Sequence, residues 1–130
     1  MKKLCLFLFV SLLTGATIFA QNNNSSFEVL YFKANLSCCQ AQSCNALGTD
    51  VKTIVEQSFA DNVIFKEVKL AENNQLKEKF SAGSQTLILV KYTKGVEKEW
   101  VNVSDILKQY SIDRNKDKFK EKLTAKVNSL

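Results

Sequence analysis

Three cysteines crowd seven positions of this 130-residue chain: Cys38, Cys39 and Cys44, in the run Leu36-Ser37-Cys38-Cys39-Gln40-Ala41-Gln42-Ser43-Cys44. An ionised thiol attacks disulfides, and a second thiol nearby can resolve the mixed disulfide that forms. Few other chemistries remain. The chain has no His, which removes His-based acid–base work, His-activated nucleophiles and His-ligated metals. Adjacent Cys38 and Cys39 are poor partners for each other, because the small ring joining them would strain both peptide and disulfide. The expected arrangement has Cys39 or Cys38 as the exposed attacker and Cys44 as the more buried resolver. Two other uses of these sulfurs stay open. One is a structural disulfide that staples the loop and leaves a spare thiol. The other is soft-metal binding, since three thiolates suit Cu(I) or Zn²⁺. The spacing matches no zinc ribbon or finger, and no cofactor site is expected.

Such a turn needs an element on each side to hold it. Before it, residues 27–32 (Phe-Glu-Val-Leu-Tyr-Phe) are aromatic and β-rich and read as a buried strand. Residues 33–43 read as the loop itself. After it, Leu47, Val51, Ile54, Val55 and Phe59 recur at three and four residues, which predicts a helix over residues 45–60. Gly48 weakens its first turn by roughly 1 kcal/mol relative to Ala. Cys44 is thus expected at the helix start, where unpaired N–H groups and the macrodipole favour a thiolate.

The rest of the chain supplies a scaffold. Residues 63–70 predict a second strand whose continuous apolar first half implies a central place, covered on both faces. A short helix is expected over residues 72–81, with Leu76 and Phe80 on one side and Gly83 in the turn that follows. Residues 86–92 form the strongest strand signal. Lys94-Gly95 reads as a hairpin turn leading to a partner strand over residues 96–101 that includes Trp100. Ser104 suits the cap of a helix with Ile106, Leu107 and Tyr110 on its inner face. Phe119, Leu123 and Val127 mark one side of a last helix over residues 116–128. A βαβ unit followed by a hairpin and packing helices predicts one α/β domain over residues 27–130, with a mixed four-stranded sheet flanked by helices.

Residues 1–20 look like a signal peptide. Lys2 and Lys3 precede the apolar run of residues 4–13, which is too short to span a bilayer, and Ala20 suits the position before a cut. Residues 21–26 read as a flexible polar leader. The expected location is therefore periplasmic or secreted, with no stable membrane anchor after cleavage. Cys5 leaves with the signal, so an odd number of cysteines remains. The net charge of +5 falls to +3 without Lys2 and Lys3, too little to argue for nucleic acid or a membrane surface. Oligomeric state is not legible.

The element order and several residue runs resemble the thioredoxin fold. Tyr31-Phe32-Lys33-Ala34-Asn35-Leu36 is similar to the thioredoxin stretch that leads into its cysteine turn. Cys44-Asn45-Ala46-Leu47 is similar to the second cysteine and the start of its helix. Ser84-Gln85-Thr86-Leu87-Ile88-Leu89 resembles the segment that faces the cysteines across the active site. The resemblance implies a three-layer thioredoxin-like sandwich with an extra C-terminal helix. It also implies thiol–disulfide exchange or electron transfer with a protein partner, and a groove at Ser84, Gln85 and Thr86. Residues 27–32, 83–90 and the tail around Ser104 and Phe119 also resemble a family of small bacterial thioredoxin-like proteins, the "nitrophenyl compound nitroreductase subunit" ArsF-type. Two departures stand out. Four residues separate Cys39 from Cys44, and five separate Cys38 from it. Gln85 occupies the place of the family's cis-proline, where a cis bond would cost about 2.5–4 kcal/mol, so a trans bond is expected. The competing reading is a redox-inactive thioredoxin-like binding module with a structural loop disulfide.

Overall fold

The computed structural model describes residues 24–34 and 39–130, and for residues 39–41 the backbone alone. The expected signal segment, the first half of the polar leader and Cys38 lie outside the described residues. The chain forms β1 (Ser25–Lys33), α1 (Cys39–Ser58), β2 (Val63–Lys69), a 3-10 turn (Leu70–Glu72), α2 (Asn74–Lys79), β3 (Thr86–Thr93), β4 (Val96–Asn102), α3 (Ser104–Asp113) and α4 (Lys116–Ser129). The sheet runs β2-β1-β3-β4. β1 and β2 are parallel, and β3 is antiparallel to both β1 and β4. β1 begins at Ser25, which pairs with Thr93, so Ser25 and Ser26 belong to the sheet and not to the leader.

The central strands are β1 and β3. Val29, Tyr31, Phe32 and Leu87 through Val90 are wholly buried because helices cover both sides of this part of the sheet. On one face Val29, Tyr31, Leu87 and Leu89 pack with Leu47, Val51 and Val55 of α1, Leu107 of α3, and Phe119 and Leu123 of α4. On the other face Leu30, Phe32, Ile88 and Val90 pack with Val68, Phe80 and Ala82. The expected α/β sandwich is present, but among the described residues its two outer layers differ in thickness: three helices on one side and the six-residue α2 on the other.

β2 corrects one expectation. It is an edge strand, not a central one, and Ile64 is 54% exposed. The run Val63-Ile64-Phe65 carries apolar side chains to both faces, but among the described residues no helix lies over Ile64. The helix expected over residues 72–81 is shorter than expected: α2 covers only Asn74–Lys79, and the 3-10 turn at Leu70–Glu72 precedes it. The hairpin turn forms at Lys94 and Gly95, with φ of 52° and 76°. Both are left-handed, as a two-residue hairpin loop with matching twist requires. Ser104 does not cap α3. Val103 holds that position, and the Ser104 hydroxyl accepts from the Leu87 N–H at 2.9 Å, tying α3 to the start of β3.

Candidate functional site

α1 starts six residues earlier than the apolar stripe predicts, at Cys39 instead of Asn45. Gln40, Ala41 and Gln42 are good helix formers and nothing among them stops a helix. Cys44 therefore does not open the helix. It lies about one and a half turns inside, with Cys39 at the first helical residue. The first turn contains no acidic residue, so its positive end is not offset from within the helix.

The spacing has a direct geometric consequence. Residues five apart in an α-helix have Cα atoms about 8.7 Å apart and leave the axis about 140° from each other. A disulfide needs Cα atoms roughly 4.4–6.8 Å apart. Cys39 and Cys44 are not brought to bonding distance while α1 stays helical, and Cys38 lies outside the described residues.

Cys44 itself is closely held. Its thiol is free and its side chain is buried, at 4% exposure. From β1, the Tyr31 hydroxyl donates to the Cys44 carbonyl oxygen at 2.9 Å. The Tyr31 ring reaches that point because Gly48, one helical turn on, has no side chain in the way. Burial, then the neighbouring Cys44 and Glu67, pushes the Tyr31 hydroxyl pKa well up, so the group stays a neutral donor. Lys33, at the end of β1, donates to Asn45 Oδ1 at 3.2 Å and pairs with Glu67 Oε1 at 2.7 Å. Strand, helix and the neighbouring strand thus meet beside the cysteine.

The segment before β3 completes the site. The Gln85 N–H donates to the Phe32 carbonyl at 2.8 Å, which fixes this loop against the end of β1. As expected, the bond before Gln85 is trans. The residue adopts a left-handed φ of 60°, which costs a non-glycine residue of order 1 kcal/mol. Its side-chain Nε2 then lies 3.2 Å from Cys44 Sγ and donates to it. Ser84, Gln85 and Thr86 line a cleft of about 470 Å³ together with Leu107, Lys108 and Ser111 of α3. Of the three predicted groove residues, Gln85 reaches the sulfur. Thr86 Oγ1 instead accepts from the Gly83 N–H at 3.0 Å.

The architecture is thioredoxin-like. Strand order and direction carry that statement. No protein-family model matches the chain, and no curated protein matches it. Among similar solved structures, Fasciola hepatica thioredoxin is 19% identical, covering 71% of this chain and 83% of its own, at a TM-score of 0.43. The germline-specific thioredoxin Deadhead of Drosophila melanogaster is 16% identical over 81% of each chain, at a TM-score of 0.46. A mutant thioredoxin from Halobacterium salinarum is 21% identical over 68% of this chain and 78% of its own, at 0.42. At these scores the likenesses add nothing to what the topology establishes.

Sequence reasoning missed Tyr31, Lys33 and Gly48 as parts of the site. Tyr31 reads only as a strand aromatic, and Gly48 only as a weak point in a helix. Neither has a local pattern that could have revealed a contact across 17 positions of chain. Among the described residues no group of three or more metal-ligating side chains is assembled, and no helix is long and apolar enough to cross a membrane.

Proposed function

We propose that the protein exchanges thiols and disulfides with a partner protein outside the cytoplasm, after removal of residues 1–20. Supporting this reading above all is the buried Cys44, held at its backbone carbonyl by Tyr31 of β1 and met at its sulfur by an amide donor from the loop before β3. A stapling cysteine has no need of a donor on its sulfur. A cysteine that must become a thiolate does.

In the proposed cycle the thiolate of Cys39 or Cys38 attacks one sulfur of a partner disulfide. The partner's other sulfur leaves as a thiolate and takes up a proton. Cys44 then loses its proton, and its thiolate attacks the attacker's sulfur in the mixed disulfide. The partner departs fully reduced, and this chain keeps the new disulfide. Two electrons pass to the partner, and the reverse sequence oxidises it. Cys39 suits the attacking role because it stands where α1 presents its unpaired N–H groups. The cleft beside Gln85 is open to an extended partner segment.

The test is turnover in an insulin- or dithiol-based disulfide reduction assay, using chain that starts at Gln21. Activity that disappears in Cys44→Ser supports the reading. Wild-type protein without turnover overturns it and favours a redox-silent binding module. Secretion is checked separately by locating the protein in cell fractions and sequencing its mature N-terminus.

A further inference from the structure

We propose that the Gln85 side-chain amide is the donor that holds Cys44 ready to attack, so that resolution of the mixed disulfide depends on it. This deepens the reading above and rests on it.

Three observations converge. Gln85 Nε2 is 3.2 Å from Cys44 Sγ, at a sulfur with almost no solvent contact. The amide is delivered by a strained, left-handed backbone that Gly would adopt without cost, yet Gly there would bring no donor. The same residue is anchored through its own N–H to Phe32 at the end of β1, the strand whose Tyr31 fixes the Cys44 carbonyl. Side-chain donor and sulfur are thus located by one strand.

The chemistry follows from what each form of sulfur accepts. A thiol can donate or accept a hydrogen bond, but a thiolate only accepts. A hydrogen bond to an ionised acceptor is about twice as strong as a neutral one. The Gln85 amide therefore favours the form of Cys44 that attacks, in a place where little water is at hand to do so. It also favours Cys44 as the leaving thiolate when the chain's disulfide is reduced. No atom is transferred to or from Gln85.

The resolving step is measured directly by placing thionitrobenzoate on the attacking cysteine, in Cys38→Ser and separately in Cys39→Ser. The coloured thiolate released when Cys44 displaces it is then timed. Gln85→Met keeps the length and loses the donor. Gln85→Gly keeps the left-handed backbone and loses the side chain, so it remains informative if the Met variant folds poorly. Both are expected to slow release tenfold or more at pH 8 while the helical circular dichroism is unchanged. Gln85→Glu places a carboxylate against the sulfur. Its release is expected to be slower still, and to recover relative to wild type as pH falls and the carboxyl gains a proton, which a merely structural role would not produce. Release as fast in Gln85→Met and Gln85→Gly as in the parent overturns the role of Gln85 while leaving exchange intact. No release in either parent overturns both readings.

Discussion

The ring of Tyr31 lies where a side chain on residue 48 would have to go: a Cβ on Gly48 would fall 2.7 Å from Tyr31 Cε1. Tyr31 is wholly buried and its hydroxyl is bonded to Cys44, so the ring has no free direction in which to yield. Gly48→Ala gains about 1 kcal/mol of helix propensity, but overpacking of this kind costs about 1–3 kcal/mol. The expected net effect is a loss of up to about 2 kcal/mol in urea denaturation. In a Tyr31→Leu background the clash is gone, and the same substitution is expected to stabilise. A double-mutant cycle without such a change of sign would show that the contact does not control the site.

Tyr31 also predicts how stability responds to alkali. Its folded pKa is raised above the ordinary value of 10.0, first by burial. The native state therefore favours the protonated hydroxyl. That contribution is complete below pH 10 and is lost as pH rises beyond it. Tyr31→Phe is expected to cost about 1 kcal/mol at pH 8, the worth of the bond to the Cys44 carbonyl. Above pH 10 the wild type should decline faster than the variant, by up to about 1.4 kcal/mol per pH unit. Tyr92, pushed up to about 12 by burial and then by Glu28, is present in both proteins and cancels in the comparison. Parallel denaturation series at pH 8, 10 and 11 decide the matter.

The helical spacing of Cys39 and Cys44 predicts a structural change on oxidation. With Cys38→Ser, a Cys39–Cys44 bridge can close only if the start of α1 unwinds. The expected signature is loss of helical chemical shifts at Ala41 and Gln42 on oxidation, with those of Val51 and Ile54 unchanged. Retention of helical shifts in a sample whose bridge has been mapped to these two cysteines would contradict the geometry.

Asp50 joins α1 to the far end of α3. Its Oδ2 accepts from the Tyr110 hydroxyl and from Arg114 Nη1, each at 3.1 Å, and the guanidinium lies over the Tyr110 ring. Asp50→Ala leaves the partly buried Tyr110 hydroxyl without its acceptor and is expected to cost about 1–2 kcal/mol. Arg114→Ala removes a half-exposed ion pair and is expected to cost under about 1 kcal/mol. Thermal denaturation of the two variants tests the ranking.

Much of the fold is legible because particular residues have a period. Leu47, Val51 and Val55 mark a helix face, and Leu87 through Val90 are unbroken because the sheet is covered on both sides there. Lys94-Gly95 carries its turn in its own backbone preference. Two errors have the same origin. Val63-Ile64-Phe65 looks like a central strand because composition does not record which neighbour is missing. The opening of α1 looks like loop because Gln40 through Ser43 offer no apolar stripe. The candidate site is legible at Cys44 from its residue type and at Gln85 from the resemblance of residues 84–89 to the segment that faces the cysteines in thioredoxins. The bond between Gln85 and Cys44 joins positions 41 apart, and only the folded sheet sets that distance.

Among the described residues, one outer layer of the sheet consists of little more than α2, six residues long, with Phe80 and Ala82 behind it. Native-state amide exchange should find this thin side in the lowest-energy opening unit, well before the strands beneath it lose protection. The four residues after Phe80 lead straight to Gln85, so each such breathing event slackens the support under the sulfur's donor. How often Cys44 is relieved of its neighbour would then be governed by a helix that never touches it.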